Sequence, residues 1–458
     1  MYTYSRLLPC AAVLLLVLSG CATRYDRRIV ERRTQELYDA RLEPSSPNGS
    51  PEAQLVPSEL LERADLQLYL TFGLKNSAEL RAAFESWRAS AERVAQVSSL
   101  PDPRLSFGHF VEEVQTRTGA QQRSFGLSQG LPWPGELDAK AKLATERAEV
   151  AWTQVEHMRL RVARQIEEAF YEYAYLAREL DITRELLELV RGFEPVVQGR
   201  IRGGNGQEDL LRLQVEIGRL EDDLASVERH RPAASARLAD AMNFPLESAA
   251  SLPLPEIEVP KASEPRVDAL LKTALAQSPR LHVLENELAV ARASEELTEF
   301  KRRPDFAARV DYIDTGNALN PATAGSGNDP LFLGLSMTLP IWTSNYSAAE
   351  REARHQVRAA RANLDGARSR LNFELAQEAY RVDDSQRRIR LYQSSLIPRA
   401  REALQLTTVS YRAGSASVLD LLDSERALLE FELSLWRASR EYLQGWARLK
   451  EIVGGEVQ

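Results

Sequence analysis

Few side chains of this sequence stand where they could carry out covalent chemistry. Its five histidines, His109, His157, His230, His282 and His355, are scattered without metal-ligand spacing, and no His-Glu-x-x-His pattern occurs. Carboxylates abound, but most lie on amphipathic helical stretches where solvation is their default. Asp209, Asp420 and Asp423 differ by position, because each follows a tight turn at the start of a helical stretch. An acid there is favoured by the helix dipole whatever else it does, and no nucleophile or base accompanies it. The chain is therefore expected not to be an enzyme and to need no cofactor or metal.

Cys21 is the one cysteine with a context. Arg6 and the apolar stretch Leu7 to Leu18 read as a signal peptide, too short for a bilayer, which takes ~20 residues. The segment ends Leu18-Ser19-Gly20-Cys21, which resembles the lipobox of bacterial lipoproteins. That resemblance implies lipidation of Cys21 as the first mature residue and, with Ala22 behind it, outer-membrane sorting. The other cysteine, Cys10, lies in the segment removed, so disulfides and thiolate metal sites are excluded. Removal of Arg6 takes the formal charge from -8 to -9. A mildly acidic surface argues against nucleic acid as a partner.

The remaining elements must position whatever these residues do. With 27% charged and only 7% aromatic residues, the composition is that of long helices. The chain also repeats itself. Asn76-Ser77 answers to Gln277-Ser278, and Pro103 to Pro304, at an offset of 201. Gly126-Leu127-Ser128 and Leu131-Pro132 match Gly334-Leu335-Ser336 and Leu339-Pro340 at 208, while Gly203 and Asp209-Leu210-Leu211 match Gly414 and Asp420-Leu421-Leu422 at 211.

Each half reads as helix, two strands, long helix, tight turn, helix. The helices are expected at about 58–100, 135–199 and 207–242, then 265–303, 344–412 and 417–453. The organisation expected is a signal peptide (1–20), an anchor and linker (21–57), a first repeat (58–251), a linker (252–264), a second repeat (265–453) and a tail (454–458). Apolar heptads run along Ile166, Tyr173, Leu180 and Leu187, and along Leu421, Leu428, Leu435, Tyr442 and Leu449. Helices of about sixty-five residues would reach ~100 Å, as in a tube or rod. Pro398 is expected to bend or split the second of them.

Four segments of period two lie between the helices: Leu105 and Phe107; Phe125 and Leu127; Phe306 to Tyr312; and Leu331 to Leu339. No mature apolar run reaches membrane-helix length, so any span must be a closed barrel. Four strands cannot close one, whereas three chains supplying four each would make twelve, which argues for a homotrimer. The Gly- and Asn-rich stretch Thr315 to Pro330 lacks a phosphate-loop pattern and reads as an exposed hairpin loop.

Three pieces carry a family resemblance. They are Gly126-Leu127-Ser128 through Pro132-Trp133-Pro134-Gly135 with its counterpart Gly334 to Trp342; the turn Tyr411-Arg412-Ala413-Gly414-Ser415-Ala416-Ser417-Val418-Leu419-Asp420-Leu421-Leu422-Asp423; and Arg202-Gly203-Gly204-Asn205-Gly206-Gln207-Glu208-Asp209. Together they resemble the TolC-like outer-membrane efflux family. The resemblance implies a mainly α protomer with membrane β: a trimeric twelve-stranded β-barrel continued by a periplasmic α-helical coiled-coil tunnel, working as the passive exit duct of a tripartite pump.

The partners implied are a periplasmic adaptor, an inner-membrane transporter and outer-membrane lipid. The hairpin tips at Gly203, Gly204, Gly414 and Ser415 would meet the adaptor. Asp420 and Asp423 would form cation-concentrating rings at the narrowest point, and Asp209 would latch the mouth with Tyr411 or Arg412 of a neighbouring helix pair. The sequence departs from the pattern at Ala416, where some members carry an arginine. Trp133 and Trp342 fall where an interfacial aromatic belt would sit, though core packing serves any single tryptophan as well. Pro132-Trp133-Pro134-Gly135 resembles the heavy-metal-efflux branch. The competing reading is a periplasmic coiled-coil lipoprotein, a rod or adaptor, for which heptads and anchor would suffice.

Overall fold

The computed structural model describes residues 32–33, 58–201, 207–261, 263, 265–320 and 322–456; Cys21, Gly203 and Gly204 lie outside the described residues. The first run of elements is α1 (Ser58–Glu62), α2 (Leu66–Asn76), α3 (Ala78–Ser98), β1 (Arg104–Thr116), β2 (Gly119–Leu131), α4 (Glu136–Arg191), α5 (Glu194–Ile201) and α6 (Gln207–Ala241). The second is α7 (Val267–Gln277), α8 (Pro279–Phe300), β3 (Phe306–Thr315), β4 (Leu331–Met337), α9 (Thr343–Leu391), a π turn (Tyr392–Leu396), α10 (Ile397–Ala413) and α11 (Val418–Val453).

The helices are more broken than the periodicity predicts, and short polar side chains account for the breaks. Asp65 caps α2 by accepting from the Gln67 amide at 2.8 Å, and Ser77 leaves the helix with ψ 117 before its hydroxyl accepts from the Leu80 amide. Ser278 repeats the same extended geometry, also with ψ 117. Side chains that hydrogen-bond to their own backbone compete with helix continuation. The expected helix 135–199 stops at Arg191, where Gly192 and Phe193 turn.

Pro398 splits its helix as expected, through a π turn. The Ile397 amide reaches back to the Tyr392 carbonyl, and α10 restarts with the proline in its first turn, where a missing amide costs least. Leu339 falls outside its predicted strand, since β4 ends at Met337 and Pro340 follows.

The chain divides into two units. Among the described residues, the strand unit comprises 85–152 and 283–364, and the helical unit 58–84, 153–282 and 365–456. In the helical unit the heptad residues are the core: Ile166, Tyr173, Leu421 and Leu449 have no exposed surface, and Leu180, Leu187, Leu428, Leu435 and Tyr442 are buried. The Tyr173 hydroxyl donates to the Leu252 carbonyl at 3.0 Å. Ion pairs flank the α4–α11 seam, Arg440 with Glu172 at 3.0 Å and Arg448 with Glu168 at 2.6 Å.

In the strand unit the sheet runs β1-β2-β3-β4, antiparallel throughout, and the outer edges of β1 and β4 pair with nothing among the described residues. Register sorts its side chains into two faces. Leu105, Leu127, Val310 and Leu333 align across the sheet, as do Phe107, Phe125, Tyr312 and Leu331. On the opposite face Arg104, Ser128, Arg309 and Gly334 align, as do Ser106, Gly126, Asp311 and Phe332. The duplicated Gly-Leu-Ser motif therefore puts each leucine on the apolar face between two small residues on the polar one.

The apolar face is bare, Leu105 being 80% and Leu335 87% exposed. A patch of this extent is not a water-facing surface. On the polar face Arg309 pairs with Asp311 at 2.7 Å. A Cβ at Gly126 would lie 2.4 Å from both the Asp311 carboxylate and the Ser106 hydroxyl, so a larger residue there would have to displace both side chains. Phe332 breaks the polar pattern, and it is exposed.

The loop after β3 folds back on the β1–β2 turn rather than extending freely. The Gly327 amide donates to the Thr118 carbonyl and the Gly316 amide to the Ala120 carbonyl, both at 2.8 Å.

Candidate functional site

The α10–α11 turn carries most of the residues singled out by the sequence. Helix α10 ends because Gly414 adopts φ 87, a left-handed cap that a side chain would strain. The Ser415 amide and hydroxyl both donate to the Ser410 carbonyl, at 3.0 and 3.1 Å, closing the last turn. Helix α11 then opens on Ser417, whose hydroxyl accepts from the Asp420 amide at 3.2 Å while its own amide donates to the Asp420 carboxylate at 2.9 Å. This is a reciprocal capping box, with Asp420 as its acidic member.

The hydrogen bonds from Ser417, side chain first and then backbone, hold the Asp420 carboxyl below the usual aspartate range. Asp420 therefore stays ionised and pinned at the exposed end of the hairpin. Asp423, one turn on, is 64% exposed and 3.5 Å from Arg426. Between them Leu421 and Leu422 are buried, which fixes the outward aim of both acids. Tyr411 is buried and Arg412 exposed in the last turn of α10. Asp209 sits half-buried in the first turn of α6, and among the described residues no hydrogen bond or ion pair within the chain joins it to Arg412. Replacing Ser417 by Ala is expected to lower the thermal unfolding midpoint of the detergent-solubilised protein, the lost cap costing about 1 kcal/mol per hairpin; an unchanged midpoint would remove the cap from the account.

Sequence reasoning missed a second acidic pair, buried between α6 and α11. Glu425 of α11 has no exposed surface and Glu216 of α6 is 1% exposed. Arg426 donates to Glu216 Oε2, and Arg219 lies 3.4 Å from Glu216 Oε1. Neither oxygen of Glu425 has a hydrogen-bond partner. Burial first, and then the Glu216 charge, push the Glu425 carboxyl up to about 8, against the opposing pull of Arg426 and Arg219. A signal was available: Leu213, Glu216 and Leu220, like Leu421, Glu425 and Leu428, fall at the three-and-four spacing of a seam, with an acid in the middle.

Among the described residues no group of three or more His, Cys, Asp or Glu could hold a metal ion, and no helix is long and apolar enough to cross a membrane.

Residues 270–455 match the family model described as "Outer membrane efflux protein". The alkaline protease secretion protein AprF of Pseudomonas aeruginosa is 28% identical over 292 residues, 62% of this chain and 60% of that protein. The cobalt-zinc-cadmium resistance protein CzcC of Cupriavidus metallidurans is 21% identical over 424 residues, 89% of this chain and 94% of that protein. The crystal structure of the outer membrane protein VceC from Vibrio cholerae superposes with a TM-score of 0.71 at 18% identity, covering 87% of this chain and 98% of that one.

The second half of the chain thus carries the match to the outer membrane efflux protein family, the TolC-like family. The mainly helical protomer with four strands has the fold of that family's channels. Channels of that family are non-enzymatic transport proteins.

Proposed function

We propose that three copies of this chain pool their four-stranded sheets into a closed twelve-stranded barrel, and that the barrel is the passive outer-membrane exit of a tripartite efflux system. The observation that carries this reading is the two-faced sheet with two open edges. In lipid every backbone group must be paired, so an open sheet with one greasy face is stable there only if other copies close it. Closure turns the Arg309–Asp311 face inward, where it lines a water-filled lumen, and sets Leu105, Leu127, Leu333 and Leu335 against acyl chains.

The long helices extend the duct into the periplasm, where an adaptor seats on the hairpin tips and an inner-membrane transporter supplies the energy. Cys21 carries the lipid that holds the N-terminus to the membrane, a task the barrel supports because one lipidated residue anchors and does not span. The two repeats, 58–251 and 265–453, each supply one hairpin of strands and one of helices. A coiled-coil rod or adaptor would have no use for the sheet. A heat-resistant trimer on a denaturing gel, together with ion conductance in a planar bilayer, is the expected result; a soluble elongated dimer would overturn the reading.

Three copies of Asp420 and Asp423 form rings that draw cations to the mouth. Replacing both by Asn is expected to reduce the cation preference of single channels, and unchanged selectivity would strip the two acids of this role. Asp209 latches the closed mouth against Tyr411 or Arg412 of a neighbouring helix pair.

A further inference from the structure

The rim of the apolar face, at the ends of the strands that join the helices, carries a feature the duct itself does not need. The last row across the sheet is Leu131, Phe306 and Met337, all on the apolar face. The Trp133 ring stacks on Phe306 with centroids 5.9 Å apart and planes at 27°. The Arg303 guanidinium in turn lies 5.6 Å from the centre of the Trp133 ring. Phe306, Trp133 and Arg303 thus step from the apolar face to a cation at its margin.

The charges at this rim are not equivalent. Arg302 is held by Glu350 at 2.6 Å and Lys140 by Glu136 at 2.7 Å. Arg303 and the adjacent Lys301 are exposed, and among the described residues no carboxylate lies within ion-pair distance of either. Both line a cleft of about 500 Å³ together with Phe300, Leu339, Pro340 and Tyr346. Within it three cations, Lys140, Lys301 and Arg303, face two carboxylates, Glu136 and Asp305, so the cleft is net positive. Leu339 within it, and Ile341 and Trp342 just after it in the chain, are exposed.

We propose that Lys301 and Arg303 bind the phosphate of an anionic glycerophospholipid, whose acyl chains lie along the Leu131–Phe306–Met337 end of the apolar face. Three observations fit that one occupant: two cations with no carboxylate partner among the described residues, an aromatic stack that continues the apolar face directly to one of them, and exposed apolar side chains alongside. Arg303 offers a planar fork to phosphate oxygens while its flat face stays on Trp133. Cations beside an acidic headgroup each add a modest attraction that neutral lipid does not return. The proposal rests on the barrel reading, which places this rim at the periplasmic leaflet.

The test uses the full-length trimer reconstituted into vesicles of phosphatidylcholine mixed with an equal part of phosphatidylglycerol, then extracted and assayed for retained lipid by mass spectrometry. Wild type is expected to retain phosphatidylglycerol about tenfold over phosphatidylcholine. The double variant K301Q/R303Q is expected to lose that preference while its conductance stays normal, and a control of equal charge loss on exposed helix residues, R361Q/R370Q, is expected to keep it. Equal retention of both lipids by a conducting wild type overturns the proposal, as does an undiminished preference in K301Q/R303Q. Loss of the preference on adding millimolar inorganic phosphate assigns the cations to free phosphate and also overturns it. Failure of the wild type to conduct in any vesicle instead overturns the barrel reading, and the lipid site with it.

Discussion

Replacing Leu333 by Arg is expected to abolish assembly of the heat-resistant trimer and insertion into liposomes. Leu333 is aligned with Val310, Leu127 and Leu105 in the middle of the apolar face and is 68% exposed. An arginine at the midplane of a membrane strand costs roughly 2–4 kcal/mol on the lipid face, and threefold symmetry repeats it, for roughly 6–12 kcal/mol per barrel. The control is one residue away. Phe332 is opposite Asp311 on the polar face, so Phe332→Arg adds the same charge to the lumen, beside an acid, and is expected to leave the trimer intact. Heat-shifted mobility on a gel and liposome flotation read both variants. Equal tolerance of the two substitutions would mean that the faces do not separate lipid from water.

Replacing Glu425 by Gln is expected to stabilise the helical unit most at alkaline pH and to flatten its dependence on pH. The buried carboxyl, raised from 4.5 to about 8, keeps its proton in the folded chain over a range where the unfolded chain has lost it. Folding then binds a proton, so the contribution to stability is full below about 4.5, falls as pH rises through that window, and is lost above about 8. Each pH unit in the window is worth about 1.4 kcal/mol, and the total of a few kcal/mol is an upper value, since Glu216, Arg219 and Arg426 readjust together. Gln keeps the shape and has no charge to lose. Thermal unfolding followed by helical circular dichroism should show wild type less stable at pH 8 than at pH 5, with the variant alike at both. Glu216→Gln should do the reverse and destabilise, because it removes the buried carboxylate to which Arg426 donates and leaves Arg426 only the exposed Asp423. Parallel curves for wild type and Glu425→Gln would exclude an uncharged Glu425.

Where period and turn chemistry agree, the fold is legible in the sequence. The strands are written as alternating leucines and small residues, and the register puts those leucines on one face. Gly414 and Ser417 announce a hairpin, and both caps form. What the sequence hides is tertiary competition. Ser77 and Ser278 look like ordinary helix-start signals, yet each also ends the helix before it, because the backbone turns extended there; at Ser77 the hydroxyl then serves the following turn. Asp420 reads both as a gate acid and as a capping acid, and the geometry shows how one carboxylate meets the second demand while still facing outward. Glu216 and Glu425 were passed over because acids in amphipathic helices are normally solvated; only the packing of α6 on α11 reveals that these two are not.

The five-residue π turn before Pro398 sets the angular phase of everything beyond it. Buried positions step from Ile389 to Ile397 and then to Ala400 and Leu404, one residue later than an unbroken α-helix would place them. A surplus residue advances the winding by about 100°, and the π turn absorbs it, so that the stripe resumes against the same neighbours. The compass bearing of Asp420 and Asp423 is thus governed by a spare link some two dozen residues upstream. Excising one residue there would swing the far arm of the hairpin by more than a quarter turn, although no atom of the tip itself had been altered.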